Sequence, residues 1–188
     1  MSPALPGTYR ESDASPVAFA DAVAGWAAAA RPVLIETAVR YNRVITYGEL
    51  GEEVQARTGI RTRMLLTNWI GRVLGHVALT SIESGDILLT ALCVHQDGTV
   101  GAGYAEAVKM VEGVEPDDRE IHAARTRLVA YRRYATDMPA DGGQPTLTPQ
   151  ETARRKAKAS RQTAEQPARL CPSCFTVLPA SGRCDYCD

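Results

Sequence analysis

The stretch "ITYGELGEEVQARTGIRTRMLLTNWIGRVLGHVAL", residues 45–79, decides the predicted fold of the first two-thirds of the chain. It opens with a Thr-x-x-Glu capping box, in which Thr46 caps a helix and the Glu49 side chain accepts a hydrogen bond from the Thr46 backbone amide. The box predicts a short helix over residues 47–57, and Gly59 suits the C-terminal stop of that helix.

A second helix is predicted after a short connection. Thr62 is placed to cap it, and apolar residues recur at helical spacing from about residue 63 to residue 79. Two helices joined so closely are typical of a helix-turn-helix. The window between Glu53 and Glu83 holds no acidic residue. The second helix is expected to turn one polar stripe outward, and this stripe contains Arg61, Asn68, Arg72 and His76.

The chain on either side predicts further helices and one hairpin. Ser15 and Pro16 begin a helix, and Pro32 either kinks it or opens a second one. After residue 86, the runs "ILLTALCV" and "TVGAGY" surround an Asp-Gly pair, which is a strong hairpin signal. The segment 116–134 then adds a last amphipathic helix. Helix, helix-turn-helix and hairpin follow one another in the order of a winged helix.

Four cysteines near the C-terminus form two Cys-x2-Cys pairs separated by nine residues. Two such turns present four thiolates to one Zn²⁺, whose preference for four sulfur ligands suits a closed structural site. So short a segment buries little core, so the metal is expected to supply its folding free energy. Two disulfides or a redox pair are the alternatives, but the chain has no sign of secretion. The predicted ligands are Cys171, Cys174, Cys184 and Cys187.

These elements predict an α+β, mainly helical chain, with a winged helix-turn-helix domain and a small C-terminal zinc ribbon. Residues 1–15 are expected to form a disordered tail and residues 16–135 the winged-helix-like domain. Residues 136–169 are predicted to be a flexible linker, with a helix around 149–160 as an alternative. Residues 170–188 form the zinc ribbon.

The overall charge favours no polyanionic partner, because the formal net charge is −1. Arginine outnumbers lysine 18 to 3, which indicates a GC-rich, bacterial or phage genome more simply than a phosphate-binding role. The basic run at 153–161 is either a phosphate-binding segment or a solvated linker. No run of about 18 apolar residues occurs, so no membrane span is expected and the protein is predicted to be cytoplasmic.

The pair Cys93 and His95 raises the question of nucleophilic catalysis. The two residues share one face of a strand, but the flanking "LLTAL" offers no polar pocket to activate a thiol. A buried free cysteine is the commoner situation. Cys93 is therefore predicted to be a core residue.

The segments "TYGEL" at 46–50, "IGRVLG" at 70–75 and "DG…GY" at 97–104 resemble the winged-helix C-terminal domain of alkylguanine-DNA alkyltransferases and their inactive relatives. The resemblance covers roughly 65 residues. It implies that Tyr47 lies against the DNA backbone and that Asn68 stands where the family has a base-replacing arginine. The family's catalytic P-C-H-R motif would fall at residues 89–92, where this chain has Leu-Thr-Ala-Leu. The resemblance therefore implies the fold without the enzyme activity.

We accordingly expect a non-enzymatic protein that binds double-stranded DNA and has a regulatory role. Helix 62–79 would read the major groove and the hairpin would act as a wing. The zinc ribbon would hold a protein partner or a second DNA segment. The alternative is a protein-interaction adaptor that uses both modules for docking. The predicted DNA contacts are Tyr47, Arg61, Arg63, Asn68 and Arg72.

Overall fold

A computed structural model describes residues 7–165, 170–178 and 182–187 of the chain. It divides into two compact units, residues 1–151 and residues 152–188. The described residues contain six α-helices and four strands of only two or three residues. The chain is therefore mainly helical, in the α+β class. Among the described residues, no helix has the length and apolar character needed to cross a membrane.

Three helices build the core of the first unit: α1 (Phe19–Ala38), α2 (Tyr47–Thr58) and α3 (Ile70–Glu83). Their buried faces meet at Trp26 and Trp69, whose ring centroids lie 4.5 Å apart. The Trp26 indole N–H donates to the Ile60 carbonyl at 3.0 Å, so this polar group is satisfied inside the core. The helix α1 passes through Pro32 without interruption, which resolves the choice between one helix and two.

The predicted capping box is confirmed at the start of α2. Thr46 Oγ1 accepts a hydrogen bond from the Glu49 amide at 3.2 Å, and Glu49 Oε2 accepts one from the Thr46 amide at 2.7 Å. At the other end Gly59 adopts a left-handed conformation with φ of 62°, which a residue without Cβ reaches at little cost. The local signals of this helix therefore decide both of its ends.

The prediction of one helix over residues 62–79 is wrong for its first eight residues, 62–69. The strand β3 (Ile60–Thr62) and a 3₁₀ turn (Leu66–Asn68) occupy that part, and α3 begins only at Ile70. The strand pairs antiparallel with β1 (Thr8–Arg10), which lies inside the segment predicted to be a disordered tail. Pairing with a distant segment satisfies the backbone of residues 60–62, and no local pattern reveals that partner.

The predicted hairpin is not formed. A 3₁₀ turn (Leu89–Leu92) leads into β4 (Cys93–Val94), which pairs in parallel with β2 (Ile45–Thr46). The Asp-Gly turn is present, since Gly98 has φ of 77° and the His95 amide donates to the Thr99 carbonyl at 2.7 Å. The run predicted as the second strand instead leads into α4 (Ala102–Glu112).

Side chains rather than a partner strand bind the backbone after the turn. In the register set by the His95–Thr99 bond, a hairpin would have the Gly101 amide donate to the Cys93 carbonyl, but this amide donates to the Tyr47 hydroxyl at 3.1 Å. The preceding Val100 amide donates to both carboxylate oxygens of Glu120 at 3.2 Å. Glu120 belongs to α5 (Arg119–Tyr134), the predicted last helix of the domain, and is only 4% exposed. Asp118 caps α5 by accepting from the Glu120 and Ile121 amides.

Residues 136–148, predicted to be part of a flexible linker, belong to the first unit instead. The Tyr41 hydroxyl donates to the Gln144 carbonyl at 3.1 Å, and Thr148 Oγ1 donates to the Gly98 carbonyl at 2.8 Å. The helix α6 (Pro149–Glu165) follows, which agrees with the alternative of a helix around 149–160. Residues 166–169 of the predicted linker lie outside the described residues.

Candidate metal centre and nucleic-acid interface

The four C-terminal cysteines converge. Their Sγ atoms all lie within 4.8 Å of one another, and Cys174 and Cys184 are 3.5 Å apart. A tetrahedral Zn²⁺ with Zn–S distances near 2.3 Å requires sulfur atoms about 3.8 Å apart. All four cysteines are free thiols rather than disulfides. The cluster therefore has the ligand number, the ligand type and the spacing that one metal ion requires.

Backbone hydrogen bonds shape the first pair of cysteines. The Cys171 amide donates to the Thr176 carbonyl and the Phe175 amide donates to the Cys171 carbonyl, both at 2.9 Å. Phe175 takes a left-handed conformation, φ of 56°, to close this turn. A hydrogen bond with the Thr176 hydroxyl lowers the pKa of the Cys174 thiol, whereas the neighbouring Cys174 thiol raises the pKa of Cys187 to about 12.

The second unit has almost no apolar interior around these cysteines. Among its described residues after α6, only Cys171 and Cys184 are buried. The large apolar side chains are exposed: Leu170, Phe175, Val177 and Tyr186. Burial of apolar surface therefore contributes little to the folding free energy here.

Two predicted DNA contacts stand exposed at the start of α3. Asn68 ends the 3₁₀ turn and Arg72 lies in the first turn of the helix, with its guanidinium carbon 5.4 Å from the centroid of the Phe19 ring. Arg63 is exposed in the connection between β3 and the turn rather than on a helix. These three residues remain available to a polyanion.

Arg61 is placed differently from the prediction. It lies on β3, where its guanidinium pairs with Glu11 at 3.1 Å and with Glu52 at 3.6 Å. Two carboxylates compensate its charge, and the acid-free window of the sequence gave no sign of them because both lie outside it. Arg61 therefore does not belong to a basic stripe on α3.

Tyr47 lies in the wall of a cleft rather than on a protruding surface. Its hydroxyl oxygen accepts a hydrogen bond from the Gly101 amide at 3.1 Å, and its ring centroid is 4.5 Å from that of His95. Burial raises the pKa of the Tyr47 phenol to about 12. The cleft has a volume of about 690 Å³ and opens between α3 and α4. Sequence reasoning missed it because the predicted second strand covered the start of α4 and no helix was predicted for residues 105–112.

Cys93 is a buried strand residue, as predicted, with 1% of its surface exposed. Burial raises the pKa of its thiol far above the usual value. The His95 side chain, two residues away, is exposed and stacks against Tyr47. The geometry gives Cys93 neither solvent access nor an activated thiolate.

Charge is distributed unequally between the two units. Residues 1–151 contain 14 Lys or Arg and 19 Asp or Glu, for a formal charge of −5. Residues 152–188 contain seven Lys or Arg and three Asp or Glu, for a formal charge of +4. Five of the seven basic residues lie on α6, with no acidic residue between Thr152 and Gln162: Arg154, Arg155, Lys156, Lys158 and Arg161.

The fold and its sites thus define a mainly helical α+β unit followed by a basic helix and a four-cysteine cluster. No protein-family model matches the chain, and neither a curated protein nor a solved structure does.

Proposed function

We propose that this protein is a non-enzymatic DNA-binding protein whose main phosphate contacts come from α6. The observation that carries the proposal is the concentration of positive charge in residues 152–188 of an otherwise acidic chain. Lysine and arginine side chains that neutralise phosphates release condensed counterions, and this release drives binding to duplex DNA. The first unit, with a charge of −5, is repelled by the same polyanion.

The spacing of the basic residues supports contact along one side of α6. Arg154, Lys158 and Arg161 follow one another at intervals of four and three residues, which places them on one helix face. All three are exposed. One such face follows a single phosphate backbone without reading base edges, so α6 is proposed to provide affinity rather than sequence selectivity.

Zn²⁺ is the proposed occupant of the four-cysteine cluster. Four sulfur ligands leave no coordination position for substrate, so the ion would have a structural role. Cys171 and Cys174 would hold it from one turn and Cys184 and Cys187 from the other. Since apolar burial contributes little there, the ion would supply the free energy that orders the segment.

A second DNA contact is proposed at the start of α3, through Arg63, Asn68 and Arg72. The resemblance to alkyltransferase winged helices and the exposure of these three side chains support it. Asn68 and Arg72 have the donor geometry for base edges, whereas Arg63 suits a phosphate. Because the surrounding unit is acidic, this contact is expected to contribute only after α6 has brought the DNA close.

The test is the salt dependence of duplex binding, measured by fluorescence anisotropy with a labelled 20-base-pair DNA and the zinc-supplemented full chain. The double variant Lys158→Ala/Arg161→Ala removes two exposed charges from α6. It is expected to reduce the slope of log K against log salt by about 2, since each phosphate contact contributes about 0.9.

The matched control is Lys109→Ala/Arg125→Ala, which removes one lysine and one arginine that are exposed on α4 and α5. This variant has the same net charge as the test variant, so a general charge effect would appear in both. Equal slopes for the two double variants, or no binding of duplex DNA by the wild type, would overturn the proposal.

A protein partner is the second candidate function of the four-cysteine segment. Phe175 and Tyr186 are 73% and 81% exposed, and aromatic side chains of this kind are enriched at protein interfaces. The double variant Phe175→Ser/Tyr186→Ser separates the two functions. Loss of a co-purifying protein with unchanged DNA affinity would favour the adaptor.

A further inference from the structure

The cleft between α3 and α4 has the dimensions of a small-molecule site. Its volume of about 690 Å³ falls in the range of roughly 300–1,000 Å³ that is usual for ligand pockets. The α3 residues that line it run from Ile70 to Ile82, which corresponds to about 18 Å of helix at 1.5 Å per residue. Most of the lining side chains are apolar, so a ligand here would bury mainly hydrocarbon or aromatic surface.

One wall of the cleft carries hydrogen-bonding groups without protein partners. The Tyr47 hydroxyl accepts from the Gly101 amide, and within the described part of the chain its own hydrogen has no acceptor. The ring nitrogens of His95 likewise have no hydrogen-bond partner among the described residues. A Cβ placed on Gly101 would touch both the Tyr47 hydroxyl and His95 Nε2, which brings these groups to one point. This point can bind both a donor and an acceptor.

A buried hydroxyl adds a further polar group to the lining. Thr90 lines the cleft, is 7% exposed, and its Oγ1 has no hydrogen-bond partner among the described residues. Native structures pair nearly all buried polar atoms, which makes this hydroxyl a candidate hydrogen-bond partner for an occupant.

The charge of the lining selects against anions. Glu106 is the one charged residue among those that line the cleft, and it is exposed. A carboxylate or phosphate ligand would meet one negative charge and no arginine or lysine. The cleft therefore suits an uncharged molecule, and a nucleotide is excluded by the same argument.

Glycines keep the cleft open. A Cβ built on Gly71, Gly75 or Gly103 would have no atom within 4 Å. Gly71 and Gly75 lie one turn apart on α3, where glycine lowers helix stability and no left-handed conformation requires it. Bare backbone at these positions presents a flat surface on which a planar ring can lie.

We propose that this cleft binds an uncharged aromatic or heteroaromatic small molecule. The ring lies between α3 and α4 against Gly71 and Gly75, and the hydrogen-bonding group of the ligand meets the Tyr47 hydroxyl and His95. This proposal does not rest on DNA binding by α6, although the cleft begins beside Asn68 and Arg72, which are proposed as part of the second DNA contact.

The experiment uses the fluorescence of the neutral probe N-phenyl-1-naphthylamine with the zinc-supplemented full chain. Saturable binding with one site per chain is expected. Naphthalene-2-carboxamide is expected to displace the probe at least tenfold more effectively than naphthalene-2-carboxylate, which has nearly the same shape and a negative charge. Absence of saturable binding, or equal displacement by the two competitors, would overturn the proposal.

The variant Gly75→Leu places a side chain in the open space of the cleft and is expected to weaken probe binding at least tenfold. Its thermal midpoint is expected not to fall, because leucine has the higher helix propensity and its Cβ meets no atom. The matched control His76→Leu adds leucine to the adjacent position of α3, which does not line the cleft. Undiminished binding by Gly75→Leu in a folded protein would show that the probe binds elsewhere.

Discussion

At the scale of single residues, the structure separates groups that look alike in the sequence. Arg61 and Arg72 both fall in the acid-free window, yet Arg61 pairs with Glu11 and Glu52 whereas Arg72 lies over the ring of Phe19. The five cysteines also have different environments, because Cys93 is buried in the core and the other four converge near the C-terminus. The environment of a side chain decides its chemistry, and that environment is assembled from distant segments.

The capping box gives the first residue-scale prediction. Thr46→Ala is expected to lower the free energy of unfolding of the first unit by about 1 kcal/mol, because it removes the hydroxyl that accepts from the Glu49 amide. Urea unfolding followed by tryptophan fluorescence measures this loss. The control Thr80→Ala, on the exposed side of α3, is expected to change stability by less than about 0.5 kcal/mol. Equal losses of free energy of unfolding in the two variants would contradict a stabilising role of Thr46 as the helix cap.

The same box predicts a dependence on pH. Hydrogen bonds from the Thr46 amide and hydroxyl lower the pKa of Glu49 from its usual 4.5. A carboxyl with a lower pKa in the folded state stabilises the fold fully above the unfolded pKa and loses that contribution as the pH falls through the folded one. The difference in stability between wild type and Thr46→Ala is therefore expected to shrink below pH 4.5. If the difference in free energy of unfolding between wild type and Thr46→Ala grew as the pH fell, the predicted direction of the pH dependence would be wrong.

Thiol alkylation tests the division of the cysteines. In the native protein treated with a chelator, iodoacetamide at pH 8 is expected to modify Cys171, Cys174, Cys184 and Cys187 and to leave Cys93 unmodified. Cys93 is 1% exposed and burial raises the pKa of its thiol, so its thiolate is neither accessible nor populated. Mass spectrometry counts the additions. A fifth addition before denaturation would contradict the buried position of Cys93.

At the scale of elements, the close approach of α2 and the turn before α3 depends on a single glycine. A Cβ at Gly51 would lie 2.7 Å from Leu66 Cδ1 and 3.3 Å from Trp69 Cη2. Trp69 is 2% exposed and packed on Trp26, so it has no room to move away. Packing therefore holds α2 against the turn before α3, although residues 62–69 of the predicted second helix are not α-helical.

Two glycine-to-alanine variants test this packing. Gly51→Ala is expected to destabilise the first unit by about 1–3 kcal/mol through overpacking. Gly75→Ala makes the same chemical change where a Cβ meets nothing, and it is expected to stabilise α3 by up to about 1 kcal/mol. Thermal unfolding by circular dichroism measures both. If both variants shifted the midpoint in the same direction, helix propensity rather than packing would dominate at Gly51.

At the scale of the whole molecule, the chain combines an acidic unit built on an apolar core with a basic unit that lacks one. The first unit buries two tryptophans and the apolar faces of three helices. The second has exposed apolar side chains and four cysteines that converge. Apolar burial therefore stabilises the first unit, and metal binding is proposed to stabilise the second.

A chelator is expected to affect the second unit and to leave the first unit folded. Both tryptophans lie in the first unit, so tryptophan fluorescence reports that unit alone. Removal of bound metal with a strong chelator is expected to leave the tryptophan unfolding transition unchanged and to expose the four C-terminal thiols to alkylation. Zinc should restore the protection of these thiols, whereas magnesium should not, because Mg²⁺ prefers oxygen ligands. A shift of the tryptophan transition on chelation would contradict independent folding.

Several elements could be predicted from the sequence because their signals are local. The capping box and Gly59 bound α2, the Asp-Gly turn is present at residues 97–98, and the spacing of four cysteines anticipated their convergence. The pairing of β1 with β3, the parallel pairing of β2 with β4 and the cleft could not be predicted. The two strand pairings join segments more than 40 residues apart and the cleft joins α3 to α4, and local sequence patterns do not reveal which segment is the partner.

The sequence by itself determined the mainly helical class, the ends of α2 and the identity of the four converging cysteines, because capping, helical periodicity and ligand spacing act within a few residues. Only the tertiary structure decided that Val100 donates to Glu120, that Arg61 pairs with Glu11 and Glu52, and that Tyr47 faces a cleft. In each case a buried or charged group found its partner on another element. Such partners become neighbours only when the core closes.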